Sequence, residues 1–185
     1  MYFLTMKYRL FQVIITLILL TSSFTGCLEE NSSDKSKTIH VDSSGGREFI
    51  IIQNAIDNAS AGDTVFVHNG TYNESLHIIK SINLVGEDRN NTIIEWKNSG
   101  SADQNNVIFI NADNCMISQL KIYGGGFSLE NICINVNSSY NTISDNIIFD
   151  SYKGININGD KNNNNIFNYK FNINTNFNWG NHKYI

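Results

Sequence analysis

Residues 108–122 read IFINADNCMISQLKI, residues 134–148 read INVNSSYNTISDNII, and residues 157–171 read INGDKNNNNIFNYKF. Set one beneath another, the three share a pattern. Ile108, Ile134 and Ile157 each precede another isoleucine by nine residues, at Ile117, Ile143 and Ile166. Three positions after these stand Leu120, Asn146 and Tyr169, and five positions after stand Ile122, Ile148 and Phe171. Asn114, Asn141 and Asn164 lie just ahead of each middle isoleucine. The step from Ile117 to Ile143 is 26 residues and that from Ile143 to Ile166 is 23. The excess falls in residues 123–130 (YGGGFSLE), a glycine-rich loop that tolerates insertion.

A period of 23–26 residues carrying two or more short Ile-x-Ile strands is the signature of a solenoid. A leucine-rich repeat of similar period needs regular leucines and a helical return, and both are missing. The pattern predicts an all-β, right-handed parallel β-helix in which equivalent strands stack about 4.8 Å apart and bury their isoleucines in continuous columns. Asn146, at an otherwise apolar level, is expected to bond its amide to the neighbouring coil.

Composition agrees. The 185 residues include 30 asparagines, 27 isoleucines and no proline. Isoleucine favours strands, and asparagine favours turns and tolerates left-handed backbone. Charged residues make up only 16%, too few for a helical bundle, and the net charge of −4 argues against a nucleic-acid partner.

Working outward, residues 1–26 read as an export signal. Lys7 and Arg9 flank the apolar run 11–20 (FQVIITLILL), which is too short to cross a bilayer. Ser22-Ser23-Phe24-Thr25-Gly26-Cys27 resembles a lipoprotein lipobox, with Phe24 in place of the usual leucine-like residue. It implies cleavage before Cys27 and a lipid on its sulfur; an ordinary cleaved signal or an uncleaved anchor is the alternative. Residues 27–37 are then a polar tether and 38–185 the folded domain, its repeats clearest at 108–171. Cys115 and Cys133 form neither a disulfide framework nor a metal-site spacing, and read as small half-buried residues with a single disulfide left open. In the opening region, Thr38–Val41, Thr64–Val67 and 82–85 read as strands, and 49–59 as one amphipathic helix with Ile52, Ala55, Ile56 and Ala59 on its apolar side.

Four strings here resemble the opening region of the pectin lyase-like β-helix superfamily, pectinesterases and NosD-type exported proteins included. They are Gln53-x-Ala55-Ile56-x-x-Ala59, Gly62-Asp63-Thr64-Val65-x-Val67, Gly70-Thr71-Tyr72-x-Glu74, and Lys80-Ser81-Ile82-x-Leu84-x-Gly86. Residues 141–160 (NTISDNIIFDSYKGININGD) resemble the NosD-type repeat. The resemblance implies that the opening helix covers the first coil. No such lid is legible in 171–185, so a partner is expected at that end, self-association through it included, or the chain is a shortened member of a longer family.

The resemblance also implies where catalysis would sit: two aspartates with glutamines and an arginine on successive coils in pectinesterases, and an Asn-Thr-Asp and Asp-Asp set with a histidine and Arg-x-Lys in polygalacturonases. None of these strings occurs. Asp145 and Asp150, five apart, are weak candidates for a carboxylate pair, with solvated turn acids as the plainer reading. His68 and His77 are weak metal candidates for the copper role that the NosD likeness suggests. Tyr123, Phe127 and Tyr152 are candidates to stack on sugar rings. No cofactor is implied. The expected function is a lipid-anchored cell-surface β-helix module that binds or organises extracellular polysaccharide or other envelope material without catalysis. A degenerate carbohydrate-active enzyme and a copper-maturation protein are the alternatives.

Overall fold

The computed structural model describes residues 35–96, 106–124, 131–158 and 163–172, which fall almost wholly within the compact unit Ser36–Ile185. Cys27 and Phe127 lie outside the described residues. Three parallel sheets make the unit. The first holds β1 (Thr38–Val41), β2 (Thr64–Val67), β5 (Asn83–Gly86), β8 (Met116–Ser118), β11 (Thr142–Ser144) and β14 (Asn165–Phe167). The second holds β3 (Gly70–Asn73), β6 (Thr92–Glu95), β9 (Lys121–Tyr123), β12 (Ile147–Phe149) and β15 (Lys170–Asn172). The third holds β4 (Leu76–Ile78), β7 (Asn106–Ile110), β10 (Ile132–Val136) and β13 (Lys153–Ile157). The chain visits the sheets in rotation, so each turn lays one strand over its predecessor: a right-handed parallel β-helix.

Three inward columns fill the interior. Ile39, Val65, Leu84, Ile117, Ile143 and Ile166 line the first sheet. Tyr72, Ile94, Ile122, Ile148 and Phe171 line the second. Leu76, Ile108, Ile134 and Ile155 line the third. Most are completely buried, and each such side chain contributes about 1.5–3 kcal/mol relative to exposure.

The third column corrects the sequence alignment, because Ile134 lies under Ile155, not Ile157, which pairs with Val136. Gly-Ile-Asn-Ile-Asn offers two isoleucines two apart, and a shift of two keeps the same face inward. Corner lengths decide between them. From Ile122 to Ile134 is twelve residues, against seven from Ile148 to Ile155. The loop after β9 is therefore longer by five, not three, while the corner after β13 is longer by two.

The bends repeat as regularly as the strands. Gln119, Asp145 and Asn168 stack at one corner with φ of 59°, 58° and 51°. Asn114, Tyr140 and Asn163 stack at another with 58°, 60° and 61°. Left-handed backbone is costly for most side chains and least so for asparagine and aspartate, which explains part of the asparagine excess. Next to these bends, amides join the turns. Asn146 Oδ1 accepts the Leu120 N–H at 3.0 Å, and its Nδ2 donates to the Ile117 carbonyl at 2.9 Å. Asn141 Oδ1 accepts the Cys115 N–H, and Asn164 Oδ1 the Asn141 N–H, both at 2.9 Å. Asn114 is thus one position out of this ladder, whose first rung is Cys115.

The helix α1 is shorter than the periodicity predicts, Ile52–Asn58. Phe49 instead makes a bridge to Val41, and Ala59 is extended. Ile52, Ala55 and Ile56 are buried against the first turn. The helix has no cap of its own; Glu74 accepts the N–H groups of Ile52 and Gln53 at 2.9 and 3.0 Å. At the other end, Lys80 donates to the carbonyls of Asp57 and Ala59 at 2.7 and 2.9 Å. Cys115 and Cys133 are both buried free thiols, and burial pushes Cys133 up to about 12.

Candidate functional site

Because inward residues are committed to the core, recognition chemistry falls to the outward columns. On the second sheet these run Thr71, Ile93, Lys121, Ile147, Lys170 and Asn73, Glu95, Tyr123, Phe149. Tyr123 and Phe149 stand directly one above the other, rings 5.6 Å apart and tilted by 30°. Lys121 lies 5.9 Å from the Phe149 ring centre. All three are half-buried, on the neighbouring strands β9 and β12. The result is a small aromatic platform with a cation at its edge.

Of the sugar-stacking candidates, Tyr123 lies in this pair, beside Phe149, which the sequence reading did not single out. Tyr152 lies beyond the next corner, in register with Asn131 rather than with Tyr123. Phe149 and Lys121 were legible only through the register, since consecutive strand residues alternate faces and their neighbours Ile148 and Ile122 are inward.

Asp145 and Asp150 stand at opposite ends of β12. Asp145 sits in the left-handed corner, where it accepts from Asn168 Nδ2. Asp150 is buried, and its Oδ1 has no hydrogen-bond partner among the described residues. Along the described strands, no carboxylate stacks in register on another. The outward column of the third sheet is His77, Phe109, Asn135 and Asn156. Asn156 Nδ2 donates to Asn135 Oδ1 at 3.0 Å, and Asn158 Nδ2 to the same oxygen at 2.9 Å.

His68 and His77 do not meet. His77 is on β4 with its ring against Phe109, while His68 follows β2 and turns to His40, a residue absent from the sequence-derived pair. Among the described residues, no group of three or more His, Cys, Asp or Glu side chains is placed to hold a metal ion.

Sequence comparison finds no matching family model and no similar curated protein. Solved structures do match. A pectin methylesterase variant in complex with a hexasaccharide is 20% identical, with a TM-score of 0.53 over 63% of this chain and 48% of that one. The carrot pectin methylesterase is 14% identical, with a TM-score of 0.54 over 62% and 41%. The enzyme PemA from Erwinia chrysanthemi is 19% identical, with a TM-score of 0.51 over 74% and 47%. The chain spans less than half the length of each of these. At such identities the likeness is one of fold: this chain is built on the same parallel β-helix as the pectin methylesterases.

Proposed function

We propose that the chain is an exported β-helix module, tethered through a lipid on Cys27, that binds polysaccharide on the outer face of β9 and β12 without cleaving it. The observation that carries this reading is the stacked Tyr123–Phe149 pair with Lys121 beside it. Sugar rings present flat C–H faces that pack on aromatic rings, and an ammonium group meets their hydroxyl or carboxylate substituents. Strand stacking fixes the two rings at a set spacing, so little side-chain freedom is lost on binding.

The test is retention of the full chain on immobilised neutral and acidic polysaccharides, with turnover assayed in parallel. Tyr123→Ala and Phe149→Ala are each expected to weaken retention at least tenfold, with turnover undetectable in every variant. Unchanged retention in both variants overturns the assignment of the face. Turnover abolished by Asp150→Asn or Asp145→Asn overturns the non-catalytic reading in favour of a reduced carbohydrate-active enzyme.

A further inference from the structure

We propose that His40 and His68 form a binding site for one divalent ion of the borderline class (zinc, copper(II) or nickel), with Glu87 as the carboxylate that positions His68. Nδ1 of His40 lies 3.1 Å from Nε2 of His68, while the ring centres are 5.3 Å apart. A nitrogen approach so much shorter than the ring separation means that the rings meet edge to edge, nitrogen facing nitrogen. In a tetrahedral site with metal–nitrogen bonds of about 2.0–2.1 Å, two imidazole nitrogens stand roughly 3.3 Å apart. The pair is therefore close to ligand spacing, and turning each ring by roughly 35° aims both lone pairs at a common point.

Glu87 completes the geometry. Its Oε2 is 3.4 Å from Nδ1 of His68, the nitrogen turned away from His40. A carboxylate there keeps the proton on Nδ1 and leaves Nε2 as the ligating atom, the arrangement by which carboxylates orient metal-bound histidines. When an ion enters, the His40 proton moves from Nδ1 to Nε2, so the number of bound protons does not change. Water fills the remaining positions.

The scaffold makes the juxtaposition rigid. His40 is in register with Phe66, and the Phe66 ring packs on both imidazoles at 5.4 and 5.2 Å. Among nearby charges, Glu87 and Asp42 favour a cation and Arg47 opposes it. Imidazole pairs suit zinc, copper(II) and nickel over the hard ions calcium and magnesium.

The measurement is competition of the full chain, free of any purification tag, against a coloured chelator for Zn²⁺ at pH 7.5, repeated with Cu²⁺ and Ca²⁺. One Zn²⁺ per chain is expected, with Ca²⁺ ignored. His40→Gln and His68→Gln should each weaken binding at least tenfold. Glu87→Gln should weaken it about tenfold, at the lower end of what outer carboxylates contribute, and His77→Gln not at all. Circular dichroism identifies variants that stay folded, and the Zn²⁺-induced rise in the wild-type melting temperature gives an independent readout. Failure of the wild type to bind, equal affinity in the folded His40 and His68 variants, or a loss caused by His77→Gln would each overturn the proposal.

Discussion

Asn146 shows how much one side chain carries. It is completely buried, yet both ends of its amide are engaged, with Leu120 N–H and Ile117 carbonyl. Asn146→Ala removes both partners at once and strands two backbone groups in the core. At roughly 1–3 kcal/mol per orphaned group, the expected loss is roughly 2–6 kcal/mol. Asn168→Ala, at an exposed corner, should cost less than about 1 kcal/mol. Urea midpoints of the two variants measure the contrast, and equal midpoints would refute the buried-ladder account. That Asn146 belongs to a ladder was legible in the sequence, because it breaks an apolar column. That Asn114 does not belong was not legible, since asparagine serves equally as ladder rung and as left-handed bend.

At the level of elements, the opening motifs turn out to be fastenings. Glu74 and Lys80 hold the two ends of α1, and Gln53 exchanges hydrogen bonds with the His77 backbone at 2.9 and 3.2 Å. The Tyr72 hydroxyl donates to the His68 carbonyl at 3.0 Å. A Cβ at Gly86 would collide with the Gln119 carbonyl of the next turn, so only glycine fits there. The residues of these motifs hold the helix and the first turns in place. Asp63 gives a pH prediction. It is buried and accepts the N–H groups of Lys37 and Ser60, both at 2.8 Å, and these two bonds, with the Lys37 ammonium, draw its carboxyl below 3.8. Between the folded and unfolded values the unfolded chain binds more protons. The stability that Asp63 contributes is therefore complete above about pH 4 and lost as pH falls further. Asp63→Asn should melt lower at pH 7 and show a shallower fall in melting temperature from pH 5 to pH 2. An acid limb as steep as the wild type's would show that other groups carry it.

For the whole molecule, the rise of the solenoid was readable from isoleucine spacing alone, while distant pairings were not. Strands stack across turns at separations of 19 or more, so His68 finds His40, 28 positions back, rather than His77, nine ahead. The Thr38 and Thr64 strands, set in register, give the signal that would have found it. The five extra residues after β9 yield a prediction at this scale. Deleting residues 125–129 shortens that segment to the length of the next turn's, so the melting temperature should stay within about 4 °C of the wild type. Polysaccharide retention should persist, because Tyr123 and Phe149 remain. A collapse in melting temperature would mean that the segment is part of the packing, and lost retention would return Phe127 to the binding face.

The long corner after β9 and the two-residue excess after β13 have one more implication. The stacked interior fixes where each rung must resume but not how far the chain travels between rungs. A peptide, a fluorophore or a second binding loop spliced at either place would enlarge the surface while the rungs above and below kept their alignment. The scaffold separates what can be decorated from what must be conserved, at positions that can be named in advance.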